Sequence, residues 1–219
     1  EITHAAAHRA HDLERAAACV ISALSGELPR SVVKSMVALV NNLAFEADHY
    51  PRSLRVMLCK AADLGFREYA YNAANQIMAR AKSVEAYKEA ERYFKLAMAF
   101  DENPGLQAAA HVNYCEIVRD GLISGTADWP AAIDIYETAA RMGLVKAMFN
   151  AGNVCNWLAM RGDKSYGKRA AYWFQYALDF RAAGKRSLDM ETPAELEPVF
   201  EQCMLGLSAV HIDSQFDEA

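Results

Sequence analysis

Proline and long apolar runs are scarce in this chain, and both scarcities narrow the choice of fold. Only 6 of the 219 residues are proline, runs of β-branched residues are short, and alanine and leucine are common. Because alanine and leucine favour helices whereas proline interrupts them, this composition predicts an all-α protein. No apolar run reaches the roughly 18 to 20 residues that a membrane-spanning helix needs. We therefore expect no membrane segment.

A concentrated positive charge is also missing. Lys and Arg together number 23 against 28 Asp and Glu, which gives a formal net charge of −5. Binding to the phosphate backbone of nucleic acids depends on a dense basic surface. We therefore expect no nucleic-acid partner. Nucleic-acid binding by helical repeats would need a basic groove, and it is the weakest of the alternative functions.

The five cysteines are far apart and include no Cys-x-x-Cys pair, so neither a disulfide framework nor a zinc cluster is predicted. Cys115 and Cys155 each follow an asparagine, Asn113 or Asn153, by two residues. This spacing predicts equivalent helical positions and buried thiols that pack as small apolar groups. Free thiols fit a reducing compartment. We expect a cytoplasmic location, with room for a segment upstream of Glu1 because the sequence does not begin with Met.

An internal repeat is the most informative feature that is present. Residues 143–153 read Gly-Leu-Val-Lys-Ala-Met-Phe-Asn-Ala-Gly-Asn, and residues 65–75 place a glycine, an aromatic residue and an Asn-Ala-small-Asn core in the same register. The closing asparagines, Asn75 and Asn153, are joined by Asn113 between them, in steps of 38 and 40 residues. Repetition at such a period is typical of stacked helical units.

A second repeated pattern supports the same period. It consists of alanine, three residues, an aromatic residue, two residues and another alanine, and a weaker fourth copy has Arg55, Cys59 and Ala62 at these positions. Small residues let antiparallel helices approach, while the aromatic ring fills the gap to the next unit. The three full copies are Ala90-Phe94-Ala97, Ala132-Tyr136-Ala139 and Ala170-Phe174-Ala177.

We therefore predict an α-α superhelix, or solenoid, that folds as a single unit. About four antiparallel helical pairs would occupy residues 28–184, each with an inner helix that carries the asparagine and an outer helix that carries the Ala-aromatic-Ala pattern. Residues 1–27 would form a capping helix at one end. Residues 185–219 would form a capping helix and an acidic tail at the other, with Thr192 and Pro193 at the helix start.

Two motifs give these helices a family resemblance. The Ala-Ala-x-x-Gly sequence at residues 139–143, repeated at residues 61–65, resembles the Sel-one-like repeat, in which it joins an outer helix to the next inner one. The sequence Phe-Asn-Ala-Gly-Asn at residues 149–153 is similar to the inner-helix core of tetratricopeptide repeats. The resemblance spans roughly residues 30–183, although the Gly-x-Gly-Val turn usual after a Sel-one-like inner helix is absent. It implies a right-handed superhelix whose concave surface binds a protein or peptide.

Seven residues are candidate contacts for such a partner. In tetratricopeptide-like arrays the positions of Asn75, Asn113 and Asn153 face the concave surface, where an amide can bond the backbone of an extended peptide. The alternative is that each asparagine bonds a neighbouring helix or turn. Phe149 is expected in the core. Aromatic pockets, a further amide and a charge around the asparagines would come from Tyr71, Asn156, Trp157 and Lys146.

Other motifs carry weaker signals. His4, His8 and His11 share a helix face near Glu14 and could bind a transition metal, but a solvated face explains them equally well and we expect no metal. Residues 162–169 nearly spell a phosphate-binding loop, except that an arginine replaces the required hydroxyl residue. No nucleophilic triad or carboxylate pair has a specific spacing. We therefore expect a non-enzymatic protein without a cofactor.

The favoured function is a protein-interaction scaffold or adaptor that binds a peptide segment or partner protein on the concave face. One alternative is a secretion-associated chaperone or immunity protein for a toxin or effector. Another is a targeting or regulatory domain of a larger enzyme. The repeat pattern predicts the architecture but does not distinguish these partners.

Overall fold

A computed structural model describes residues 2–26, 28–46, 50–188 and 193–216. The described residues form helices and connecting turns without a strand, which confirms the predicted all-α class. No helix in this part of the chain is long and apolar enough to cross a membrane. The ten α-helices are α1 (Ile2–Ala23), α2 (Arg30–Glu46), α3 (Arg52–Asp63), α4 (Ala70–Met78), α5 (Val84–Met98), α6 (Pro104–Arg119), α7 (Trp129–Met142), α8 (Val145–Met160), α9 (Ser165–Ala182) and α10 (Pro193–Phe216).

The helices form two compact units, Glu1–Phe100 and Asp101–Ala219. In the first unit α1 packs against α2 and α3, α2 packs against α3, α3 packs against α4, and α4 packs against α5. In the second unit α6 to α10 likewise pack in sequence order, and α10 also contacts α8. The boundary between the units falls within residues 28–184, the region predicted to contain the repeats.

The outer helices bury the Ala-aromatic-Ala pattern as predicted. All nine residues of its three full copies are buried, on α5, α7 and α9. In the weaker copy, Ala62 is buried whereas Arg55 and Cys59 on α3 are only half-buried. The alternation of small and aromatic side chains therefore marks the core side of each outer helix.

The aromatic ring of Phe174 shows why glycine is needed on the facing helices. A Cβ atom added to Gly152 on α8 would lie 2.6 Å from the Phe174 ring, and one added to Gly206 on α10 would also lie 2.6 Å from it. Both distances are far below ordinary carbon–carbon contact. The ring is therefore held between two helix backbones, and Gly152 is a packing residue.

Both copies of the Ala-Ala-x-x-Gly motif end a helix in the same way. The Phe66 amide donates to the Ala61 carbonyl at 3.0 Å, and the Leu144 amide donates to the Ala139 carbonyl at 3.3 Å. The glycine of the second copy, Gly143, has φ = +105°, a left-handed conformation that side chains disfavour. We call these two turns the Ala-Ala-Gly joints.

The last helix, α10, contributes apolar side chains to the core of the second unit. Leu196, Phe200 and Cys203 of α10 are buried. Gly184 has φ = +65° after the end of α9, the left-handed conformation common in glycines that terminate helices. Thr192 lies outside the described residues.

Candidate functional site

The first predicted contact residues lie on α4. Asn75 is half-buried and takes part in an interaction within the chain. Tyr71 is also half-buried, with its ring centroid 6.5 Å from that of Phe94. A neighbouring amide that sequence reasoning missed, Asn72, donates to Asn41 Oδ1 of α2 at 3.2 Å. On this helix, therefore, at least one amide pair joins two helices.

The other two asparagines of the column lie in the second unit and differ in environment. Asn113 on α6 is half-buried and interacts within the chain, whereas Asn153 on α8 is exposed. Asn75 belongs to the first unit, so the structure brings only Asn113 and Asn153 into one compact unit. Of the three, Asn153 is the most accessible to a partner.

The remaining predicted contacts lie on α8, whose buried residues include Ala147, Ala151 and Cys155. Phe149 packs at the edge of the core, 6.4 Å from Phe174 between ring centroids, in agreement with its prediction. The solvent-accessible side, which we call the α8 face, consists of Lys146, Asn150, Asn153, Asn156, Trp157 and the capping residue Arg161.

A stack of aromatic and guanidinium groups forms one end of the α8 face. The rings of Trp157 and Trp129 are 4.2 Å apart and inclined by 24°. The Arg161 guanidinium lies 4.0 Å from the centre of the Trp157 ring, and Arg119 lies 5.9 Å from that of Trp129. Cation–π contacts of this kind hold flat surfaces in place beside solvent. Met160, which is 73% exposed, adds apolar surface at the same end.

Local sequence explains part of this stack. Asp128 caps α7 by accepting a hydrogen bond from the Ala131 amide at 3.0 Å, and Trp129 and Pro130 follow as the first helical residues. The Asp-Trp-Pro sequence therefore fixes Trp129 at the start of α7. Its pairing with Trp157 depends on how α7 and α8 pack, which no local pattern specifies.

The α8 face carries positive charge and amides but no carboxylate. The helix sequence contains neither Asp nor Glu, and its only charged residue is Lys146. Arg161 forms no ion pair within the described ranges, whereas Arg119 is held by Asp120 at 2.7 and 2.8 Å. In a chain of net charge −5, this face is suited to a neutral or acidic ligand.

Among the side chains that the structure describes, the most buried charge belongs to a separate network between α7 and α9. Glu137, which is 5% exposed, accepts hydrogen bonds from Trp173 Nε1 at 2.8 Å, from Arg141 at 2.6 Å and from Arg169. Burial opposes ionisation, but the bonds from Arg169 and Trp173 outweigh it and lower the Glu137 pKa. Arg169 also binds Asp134 at 2.7 Å. Since each carboxylate oxygen of Glu137 is occupied by these groups, the network holds two helices together.

The cysteines are all free thiols. Cys115 and Cys155 are buried, as predicted, and so is Cys203. Burial raises the pKa of each of these three thiols to about 12, so they remain protonated near neutral pH. Cys115 also donates to the Ala132 carbonyl at 3.1 Å. These three groups, the buried thiols, are packing residues, while Cys19 is exposed.

Of the two remaining motifs, the near match to a phosphate-binding loop lies within the described structure, whereas the histidine face lies there only in part. Residues 162–164 belong to the turn between α8 and α9, and residues 165–169 are the start of α9. Asp163 Oδ1 accepts hydrogen bonds from the Ser165 amide and hydroxyl, and Arg169 is paired with Glu137. The side chains of His4 and His8 lie outside the described residues. Among the side chains that are described, no cluster of three His, Cys, Asp or Glu residues is arranged to bind a metal.

Comparison with known proteins adds no family to this geometry. No family model, curated protein or solved structure matches the chain.

Proposed function

We propose that this chain is a non-enzymatic interaction module of a Sel-one-like or tetratricopeptide-like helical array, in which the inner helices bind a protein or peptide segment. The α8 face is the part that supports this proposal most directly. It combines one exposed amide, Asn153, with two half-buried amides, a half-buried tryptophan and a guanidinium that forms no ion pair within the described residues, all on one side of an inner helix. The five free thiols favour a cytoplasmic or other reducing compartment.

The chemistry of the face suggests which segment it would bind. Asn150 and Asn153 can each donate to and accept from a peptide backbone. Trp157 and Met160 offer apolar surface to a hydrophobic side chain, and Arg161 offers two parallel donors to a carboxylate. The ligand is therefore an extended segment with a hydrophobic residue close to an Asp or Glu.

The length of α8 sets the size of that segment. Residues 146 and 161 are separated by about 22 Å along the helix axis, at 1.5 Å per residue. An extended peptide covers this distance with about seven residues. A binding motif of this length is short enough to occur in a loop or tail of a folded partner.

Selection from a random peptide library followed by fluorescence polarisation tests the proposal. We expect the selected peptides to contain an acidic residue beside a hydrophobic one. Arg161→Glu should weaken their binding by about tenfold, because a charge-assisted hydrogen bond becomes a like-charge contact. Asn153→Ala should also weaken binding, because the exposed amide of the α8 face would lose its contact with the peptide backbone.

Lys88→Glu on α5 provides the matched control, because it makes the same change in net charge at an exposed position of the other unit. It should leave binding unchanged. If Arg161→Glu and Lys88→Glu had equal effects, binding would reflect net charge and the α8 face would not be the site. Unchanged binding by the folded Asn153→Ala variant would contradict a role for this asparagine in peptide binding.

A further inference from the structure

An open groove of about 330 Å³ lies along α9, which is an outer helix, and beside α10. Tyr172 and Tyr176 form its middle, with ring centroids 5.9 Å apart and planes inclined by 19°. Tyr172 is 57% exposed, although the adjacent Trp173 is buried. We call the lining residues the α9 face: Lys168, Ala171, Tyr172, Gln175, Tyr176 and Asp179 from α9, with Leu207 from α10.

Opposite charges stand at the two ends of this face. Lys168 and Asp179 are exposed, and neither forms an ion pair within the described part of the chain. Asp179 accepts a hydrogen bond from Gln175 at 2.8 Å. The two charged residues are about 16 Å apart along the helix axis, so they cannot contact each other.

The placement of these charges opposes the dipole of their own helix. Lys168 is the fourth residue of α9 and Asp179 is the fourth from its end. Positive charge is disfavoured near a helix N-terminus, and negative charge near a C-terminus. Within one molecule, therefore, the electrostatics of α9 give no reason for this arrangement.

We propose that the α9 face is a homodimer interface, in which the α9 helix of a second copy lies antiparallel across it. A twofold axis between Trp173 and Phe174 would place Lys168 of each copy opposite Asp179 of the other. The same axis places Tyr172 opposite Gln175 and Ala171 opposite Tyr176. Every residue that α9 contributes to the groove then has a complementary partner, as a twofold interface requires.

Chemistry, and not spacing, makes this face self-complementary. On any helix, residues with this spacing would pair with each other across a twofold axis. If both ends of such a face carried the same charge, however, the two copies would repel each other. Here each positive end meets a negative end, the small Ala171 leaves room for a tyrosine ring, and the two antiparallel helix dipoles attract. One helix pair buries less than the about 800 Å² per partner of a standard interface. The dimer is therefore weak, with a dissociation constant in the micromolar to millimolar range.

Reversing the charges of Lys168 and Asp179, singly and together, and measuring dimerisation by sedimentation equilibrium tests the interface. The purified chain should show reversible dimerisation in a concentration series that extends into the millimolar range. Lys168→Asp and Asp179→Lys should each weaken it by about tenfold or more, because each change creates two like-charge contacts per dimer. Lys168→Asp/Asp179→Lys should restore it to within about threefold of the original chain, because both contacts are again between opposite charges.

The two single variants also control for net charge, since they shift it in opposite directions and the double variant leaves it unchanged. Both single changes agree with the helix dipole, so circular dichroism and thermal unfolding should show folded proteins. A wild-type chain that stays monomeric throughout the series would overturn the proposal. So would a folded double variant that dimerises no better than the single ones.

Discussion

Replacing Gly152 by alanine tests how tightly the Phe174 ring is held. The added methyl group would lie 2.6 and 2.7 Å from two ring carbons, about 1 Å inside ordinary contact. The ring cannot retreat, because the backbone of α10 at Gly206 approaches its other edge equally closely. The α8 and α9 helices must therefore separate, or the ring must leave its preferred rotamer.

Two opposing effects determine how much Gly152→Ala changes the free energy of unfolding. Overpacking a close-packed site costs about 1 to 3 kcal/mol. Alanine in place of glycine inside a helix stabilises by about 1 kcal/mol. We therefore expect Gly152→Ala to destabilise the second unit by up to about 2 kcal/mol. Gly167→Ala is the matched control, because Gly167 lies in α9 with no atom within 4 Å of the added Cβ, and it should stabilise by about 0.5 to 1 kcal/mol.

Urea unfolding followed by tryptophan fluorescence measures the effect in the relevant unit. All three tryptophans, Trp129, Trp157 and Trp173, belong to the second unit, so their emission reports its unfolding. Equal stabilisation by Gly152→Ala and Gly167→Ala would refute the packing argument. In a Phe174→Leu background, Gly152→Ala should become stabilising, because the ring that opposes the methyl group is gone.

Two further expectations concern the buried groups. Glu137→Gln should destabilise the second unit by about 1 to 3 kcal/mol, while Asp134→Asn at the exposed end of the network should change its stability by no more than about 0.5 kcal/mol, both measured by urea unfolding. Because folding lowers the Glu137 pKa from its ordinary value of 4.5, its stabilisation is complete above that value and is lost as the pH falls through the lower folded value. Glu137→Gln should remove this part of the acid dependence, and an unchanged profile would exclude Glu137 as its source. In timed alkylation followed by mass spectrometry, Cys19 should react in the folded chain, whereas the buried thiols should react only after unfolding in urea. Rapid native labelling of a buried thiol would show that its packing opens.

Residue size and spacing made the helices and their buried sides predictable. The Ala-aromatic-Ala copies and Gly152 are buried because close helix packing admits few other side chains. Gly143 and Gly184 have positive φ at the ends of helices, where glycine is the favoured residue. These features depend on residues within one or two helical turns of each position, which is why they can be predicted from one sequence.

The contacts of the candidate site could not be predicted in the same way. Asn75, Asn113 and Asn153 have equivalent spacing but unequal exposure, because exposure depends on which neighbouring helix covers each position. The Trp129–Trp157 stack joins residues from two helices that are distant in sequence. Pairings of this kind depend on the rotation of packed helices, which periodicity leaves undetermined.

The Ala-Ala-Gly joints have a mechanical consequence for how such a chain bends. Between α7 and α8 only Gly143 and Leu144 lie outside the helices, and both are hydrogen-bonded to the end of α7. A connection this short ties the direction of the inner helix to that of the outer helix before it. The longer segment between α6 and α7 leaves the direction of α7 to the packing of the two helices against each other. The chain therefore turns at a joint by an angle that the joint itself fixes, and between α6 and α7 by an angle that helix packing fixes.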